Sequence, residues 1–476
     1  MTSFKYIWAV GLAATALIII LPIALLAQRD PGQPNPADPW TAVSPTPPPT
    51  NHIGFMTGPF ESGTDVTAAC LDCHENAAHE LMQTAHWTWE SKPLALPDRD
   101  ELVTIGKANQ MNNYCIGIAG NWQKCTACHA GYGWEDNSFD FEDETKVDCL
   151  VCHADTGIYR KGDYGLPLEG VDLLAAAESV GRPTRQNCGS CHFSGGGGDA
   201  VKHGDLDPTL SFPSENLDVH MGRLNFQCVD CHQATAHQIP GHAISVNPLP
   251  QDDLSCSGCH TDVPHQDQRI NLHLDAVACQ TCHVPVGAPR LATKMDWDWS
   301  TAGQDLIEED PYIYMKMKGN FIYEQRFIPT YAWYNGYADR YLMGDKIDPS
   351  QVTLLNRPLG DINDPSAKIW PFKVHTGRQP YDAINNYFLI PVTAGEGGYW
   401  HEYDWDQALA LNVANTGLAY SGEYGFAPTA MYWTMTHMVT PKEQALQCTV
   451  CHGDNSRMDW TALGYYGDPI YWGGRK

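Results

Sequence analysis

Apolar residues are spread unevenly along this chain. Ile7 to Ala27 is an uncharged apolar run with Lys5 ahead of it. A helix of about 20 such residues crosses a hydrocarbon core of about 30 Å. A cleavable leader has a shorter apolar region and a small-x-small site, which Leu25 and Ala27 match imperfectly. Segment 1–28 thus reads as a signal anchor or a signal peptide, and its length favours the anchor. Lys5 supports an inside amino terminus only weakly. From Gln28 to Asn51 proline and polar residues take over, with Pro47, Pro48 and Pro49 in succession. A linker over 29–60 would hold the body off the membrane.

Further on, the pattern predicts helix over Ala68–Thr88 and Val171–Ser179. Strand signals are few, with Asn320 to Pro329 the candidate. A stretch from about Val284 to Lys442 is rich in Trp and Tyr. Gly195 to Gly198 is a glycine run with no strand before it and no helix after it, so a phosphate cradle is disfavoured.

Composition changes this picture. The chain has 476 residues, 33 prolines and 42 glycines, and its mean hydropathy is −0.35. It also has 17 cysteines and 20 histidines, and Cys-x-x-Cys-His occurs eight times. The cysteine pairs are Cys70 and Cys73, Cys125 and Cys128, Cys149 and Cys152, Cys188 and Cys191, Cys228 and Cys231, Cys256 and Cys259, Cys279 and Cys282, and Cys448 and Cys451. The histidines are His74, His129, His153, His192, His232, His260, His283 and His452. Only Cys115 is left over. Two thiols add to the two vinyl groups of a haem, and the following histidine is placed under the iron. A disulfide framework needs no histidine at that offset, and zinc ribbons pair two Cys-x-x-Cys units around one metal. The cofactors are therefore eight covalently bound haem c groups.

Eight porphyrins replace much of a side-chain core. The expected fold is a multihaem cytochrome c: mainly short α-helices and irregular loops wrapped around eight haems, with little β-structure. Its parts would be a seven-haem core over 61–290, a haem-free Trp- and Tyr-rich region packing on it over 291–440, and the eighth haem with the carboxyl-terminal segment over 441–476. The net charge of −27 excludes nucleic acid as a partner. A small anionic substrate needs a local positive pocket. With either fate of the leader, the haem portion lies in the periplasm or otherwise outside the cytoplasm.

Twelve histidines remain for the far side of the irons. His86, His203, His220, His237, His273, His375 and His437 are the preferred ligands, with His265 a close competitor and His242 behind it. His52 in the linker ranks lowest, and His79 beside Glu75 and His401 beside Glu402 read as surface residues. A wire needs every iron saturated, whereas an enzyme needs one iron with a replaceable or unusual ligand. Lys161, eight residues past His153, can ligate iron once its amine loses a proton. Cys115, ten residues before Cys125, belongs near the second haem, as an inert buried thiol or a redox partner.

Several segments carry a resemblance. They are Asn112-Asn113-Tyr114-Cys115, Gly131-Tyr132-Gly133-Trp134, Cys188-Gly189-Ser190-Cys191-His192-Phe193, Asp199-Ala200-Val201-Lys202-His203-Gly204-Asp205 and Ala292-Thr293-Lys294-Met295-Asp296-Trp297-Asp298-Trp299-Ser300. Leu463-Gly464-Tyr465 with Gly467-Asp468-Pro469 closes the match. From about Cys70 to the carboxyl terminus the chain resembles the octahaem tetrathionate reductase family of multihaem cytochromes c.

The resemblance implies seven electron-transfer haems ligated by two histidines and one catalytic haem with histidine below, lysine above and a cysteine nearby. By position that haem is the one on Cys125 and Cys128 with proximal His129, and Lys161 and Cys115 are the implied lysine and cysteine. No Cys-x-x-Cys-Lys is present, unlike the usual pentahaem nitrite reductase. The apolar amino-terminal run departs from soluble members. The resemblance implies a reductase of tetrathionate or of nitrite or hydroxylamine, fed by a quinol dehydrogenase or a small periplasmic cytochrome. A membrane-tethered conduit without its own substrate and an oxidase running in reverse are the competing readings. The oligomeric state stays open.

Overall fold

The computed structural model describes residue 15 and residues 39–475, apart from 46–47, 97–98, 196–197, 242, 248, 250–253 and 308. The apolar run Ile7–Ala27, Thr15 excepted, lies outside the described residues. So do His242 and the middle of the glycine run. Among the described residues no helix is long and apolar enough to cross a membrane.

The chain forms two units. One takes residues up to Ser44 together with Ser255–Gln266. In it Cys256–Gly258 makes a single 3-10 turn, where Ser255 Oγ accepts from the Gly258 amide at 3.2 Å. The other takes Pro45–Leu254 and Asp267–Lys476 and holds all the elements labelled below.

Helices are short, as the proline and glycine content demands. The helix expected over 68–88 is three pieces: α1 (Gly63–Leu71), α2 (Ala77–Met82) and α3 (Ala85–Thr88). α1 opens with a reciprocal Ser62–Asp65 box and stops as the chain turns to present His74. Thr84 Oγ1 accepts from the His86 amide at 3.3 Å to start α3, and Trp89, at φ +50°, ends it. The helix expected over 171–179 is α4 (Leu173–Glu178). α5 (Arg185–His192) carries an entire attachment signature and opens with a Thr184–Asn187 box. Such caps contribute about 1 kcal/mol each.

β-Structure is more extensive than the sequence pattern predicts. The haem-free region holds an eight-stranded sheet of β1 (Thr293–Asp298), β2 (Tyr314–Met315), β3 (Gly319–Glu324), β4 (Thr330–Tyr334), β5 (Thr353–Leu354), β6 (Lys368–Asp382), β7 (Tyr387–Phe388) and β8 (Tyr424–Thr434). Its path is β2-β3-β1-β6-β8-β5, with β4 and β7 also pairing to β6. β3 covers part of the expected strand at 320–329. β6 escapes notice because Pro371 and Pro380 argue against a strand. Its inward positions also include polar residues: Lys373, His375 and Gln379 are buried while Thr376 and Arg378 are exposed. The period of two is present, but it does not separate apolar from polar.

Aromatic residues close the core beneath the sheet. Trp297 stacks on Trp299 at 4.6 Å and Tyr399 on Trp405 at 3.8 Å. β6 runs parallel to β1 with Gly377 opposite Trp297. A Cβ at Gly377 would lie 2.9 Å from the Trp297 carbonyl oxygen and 3.1 Å from that of Asn113. Both neighbours are backbone, so Gly377→Ala should lose about 1–3 kcal/mol through overpacking. Denaturant unfolding of the haem-loaded variant beside the parent checks this, and an unchanged midpoint would contradict the contact.

Candidate functional site: the haem sites

Attachment segments form single helical turns, such as Leu150–His153, Cys228–Cys231 and Cys448–Cys451. One turn brings two thiols and a ring to the same side of the chain. Cys125, Cys152, Cys115 and His192 lie deep in the protein. Yet each keeps accessible surface, as residues lining an internal space do.

Among the described residues, five attachment histidines are faced by a second imidazole. Ring centroids lie 6.3 Å apart for His74 and His52, 6.2 Å for His192 and His86, 6.5 Å for His153 and His237, 6.4 Å for His232 and His437, and 6.1 Å for His452 and His273. A metal held by bonds of about 2 Å to a nitrogen of each ring sets centroids about 6 Å apart. These pairs fit a haem iron.

Hydrogen bonds leave the metal-binding nitrogen of these rings available. Nδ1 of His52 donates to the Thr50 carbonyl at 2.8 Å, that of His153 to Gly181 at 3.0 Å, that of His232 to Pro240 at 2.7 Å and that of His273 to Arg269 at 3.1 Å. Carboxylates serve His237 (Glu80, 2.9 Å) and His452 (Asp468, 2.6 Å). Each bond orients a ring and keeps Nε2 for a metal. Burial pulls His86 and His153 below the usual imidazole range and His192 to about 3, so these rings are neutral.

His86, His237, His273 and His437, all singled out from the sequence, face attachment histidines. So does His52, which the sequence ranked lowest. The segment around His52 does not behave as a free linker: the Gly54 amide donates to Glu178 at 3.3 Å, and Gly58 packs on Leu174 of α4. A proline-rich strip laid along a helix looks, in sequence, like one in solvent. His203 faces Trp433 at 5.1 Å and His375 faces Tyr114 at 6.4 Å. His220 lies in the turn Val219–Arg223 with Phe226 at 6.2 Å, and His265 lies in the smaller unit. His79 and His401 are exposed, as expected.

His129 is different. Its ring neighbours are Trp134, Trp87, Trp89, Phe139 and Phe141 at 4.8 to 6.1 Å, and among the described residues no imidazole faces it. Its Nε2 donates to the Trp87 carbonyl at 2.7 Å, while Nδ1 is buried without a partner. The held nitrogen is thus Nε2 and the open one Nδ1, the reverse of the paired rings.

Beside this segment, Cys115 and Cys125 line one small pocket with Lys107, Gln110 and Tyr114. The loop carrying Cys115 is pinned. Asn112 Oδ1 accepts from the Cys115 amide at 2.9 Å, Trp299 donates to the Tyr114 carbonyl at 3.1 Å, and Asn113 Oδ1 accepts from His375 Nδ1 at 2.9 Å. His375 Nε2 is left buried without a partner. Burial pushes the Cys115 thiol up, and Lys318, Lys294 and Lys107 oppose it.

Two lysines approach the same region. Lys161 Nζ donates to the His129 carbonyl at 2.6 Å and to buried Asp148 at 2.8 Å. Lys202 instead lies deep, with Nζ 5.3 Å from the Trp433 ring and with Lys107 as its cationic neighbour. Burial, with Lys107, draws it down to about 7. Lys373 Nζ fixes the backbone there by donating to the carbonyls of Val201 (2.8 Å) and Lys202 (3.0 Å).

The crystal structure of octaheme cytochrome c from Shewanella oneidensis matches with a TM-score of 0.84 at 51% identity, covering 88% of this chain and 98% of that one. The chain belongs to the octahaem cytochromes c. Within this octahaem cytochrome, the family described as cytochrome c bacterial matches residues 294–455. The family of cytochrome c7 and related cytochrome c matches residues 214–284. An uncharacterized protein of Archaeoglobus fulgidus is 23% identical over 226 residues, covering 37% of this chain and 75% of that protein. The eight Cys-x-x-Cys-His segments carry covalent haem c, and the protein is a multihaem electron-transfer protein of the redox-enzyme class.

The pairing makes a spectroscopic prediction. His52→Ala should convert one haem of eight from six-coordinate low spin to high spin in the ferric protein, and His79→Ala should not. Electron paramagnetic resonance reads both, and an unchanged high-spin signal in His52→Ala would refute the pairing.

Proposed function

We propose that this octahaem cytochrome is an extracytoplasmic reductase whose reacting haem is the one on Cys125 and Cys128, with His129 below it. One observation carries this reading: aromatic side chains rather than an imidazole surround His129. A conduit with two histidines on every iron would need an imidazole there. The other haems, ligated by two histidines, would feed electrons in from a quinol dehydrogenase or a small periplasmic cytochrome. The run Ile7–Ala27 would tether the protein to the membrane.

Of the two lysines, Lys202 suits the open face of that haem better than Lys161. An amine ligates only without its extra proton. The Lys161 amine is engaged by Asp148 at 2.8 Å. Lys202 meets no carboxylate among the described residues and sits in surroundings that favour the neutral amine.

The substrate class is a small anion or nitrogenous compound: tetrathionate, with nitrite and hydroxylamine as the related alternatives. Lys107, Lys294 and Lys318 give Cys115 a positive setting in a chain of net charge −27. They would draw an anion in and support a thiolate. With tetrathionate, the Cys115 thiolate would attack a central sulfur, break the central S–S bond and release one thiosulfate. Two electrons from the haem chain would then cleave the mixed sulfide, release the second thiosulfate and restore the thiolate. His375 Nε2 would handle protons when nitrite or hydroxylamine is the substrate. With a high-potential acceptor the same groups would serve oxidation.

Lys202→Met should abolish the ferric signal of lysine ligation and lower reductase turnover by about a hundredfold or more. Lys161→Met should keep the signal. Cys115→Ala should lose tetrathionate turnover while retaining nitrite turnover. Potentiometry with tetrathionate, nitrite and hydroxylamine, combined with these variants, checks all three. If Lys202→Met and Cys115→Ala leave every turnover unchanged, the reading fails.

A further inference from the structure

Arg340 ends the short ribbon that pairs Ala338–Arg340 with Asn356–Pro358, and it is 2% exposed. Its Nη2 donates to Gln110 Oε1 at 3.2 Å and to the Met111 carbonyl at 3.1 Å. Nε and Nη1 are buried with no partner. The Gln110 Nε2 and Tyr114 hydroxyl beside it are also buried with no partner. Three neighbouring side chains therefore hold four unused donors around one positive charge.

No carboxylate answers that charge among the described residues. The ionisable group that acts on Arg340 is the phenol of Tyr114. Asp339 instead faces Arg357 at 3.4 Å. A guanidinium does not shed its proton in a protein, so it cannot relieve burial by turning neutral. A buried charge left unpaired is strongly unfavourable. A substrate that comes and goes would leave this one unpaired between turnovers. The partner is therefore an anion that is always present. Gln110 and Tyr114 line the pocket that contains Cys125, and a haem attached there brings two propionates.

We propose that Arg340, with Gln110 and Tyr114, receives a propionate of the haem bound at Cys125 and Cys128. The bidentate fork of the guanidinium suits a carboxylate. Arg340 thereby orients that haem and stabilises its reduced form by a nearby positive charge. The assignment requires haem at this position and is independent of substrate identity and of the lysine ligand. A free oxyanion would satisfy the same donors, so the test separates the two sources.

Spectroelectrochemical titration of the haem-loaded protein reads the midpoint potentials. Arg340→Gln should lower one potential and leave the other seven in place, and Arg340→Lys should recover part of the shift. Tyr114→Phe and Gln110→Leu, which keep the charge, should give smaller shifts in the same haem. If Arg340→Gln does not yield loaded protein, these two carry the test. Unchanged potentials together with a tenfold or greater rise in KM for nitrite or tetrathionate would overturn the proposal and make the cluster a substrate clamp. Unchanged potentials with unchanged KM would overturn it as well.

Discussion

An iron between two imidazoles fixes a distance, and much of this molecule is arranged to supply that distance. Ring centroids of 6.1 to 6.5 Å recur in pairs whose members come from remote parts of the chain, such as His232 with His437. Local structure is subordinate to this requirement. Helices of one or two turns place a ring and stop. Carbonyl and carboxylate acceptors on Nδ1 then fix the direction of rings such as His153, His232 and His452. A chain with 33 prolines and 42 glycines can wrap in this way because metal bonds and thioethers, rather than long helices, hold its parts in register.

The same requirement explains why His129 stands apart. Where the five paired sites bring in a second imidazole, this one is surrounded by aromatic walls and backed by a sheet. β6 carries Lys373, His375 and Gln379 on its buried side. Lys373 holds the backbone that bears Lys202, and His375 is bonded to the loop that bears Cys115. Buried polar groups are costly unless they are satisfied. Concentrating them on one strand that pairs with β1, β4, β7 and β8 gives them a rigid support.

This division governs what the sequence makes legible. Eight covalent attachment points are visible at once because thioether chemistry demands a strict local spacing. α4 and the first helical region are visible because their caps and apolar positions are local. The far-side ligands depend on which distant segments meet. His52 is hidden by a composition that suits a solvated linker, and His375, a candidate ligand in the sequence, has Nδ1 held by Asn113 and Nε2 buried without a partner. Lys161 stands out by its place after His153 and by the family resemblance; its amine is engaged with Asp148, whereas Lys202 meets no carboxylate among the described residues. The sheet was missed because its central strand breaks the usual signals with two prolines and inward polar residues.

Electrostatics ties the site to the whole. Lys294 lies over the rings of Phe321 at 3.5 Å and Trp297 at 3.8 Å, and burial takes it down to about 7 although Cys115 opposes the change. A lysine poised there changes charge with its neighbours. Under the proposed function, an anion arriving beside Cys115 would favour the ammonium and so draw a proton in with it. Reduction of a nitrogen oxyanion consumes protons together with electrons, and a desolvated lysine would couple the two supplies. This also accounts for a local excess of positive charge in so acidic a chain. The overall charge of −27 opposes anion approach, so the positive groups act at short range, inside the protein, where solvent screens them least.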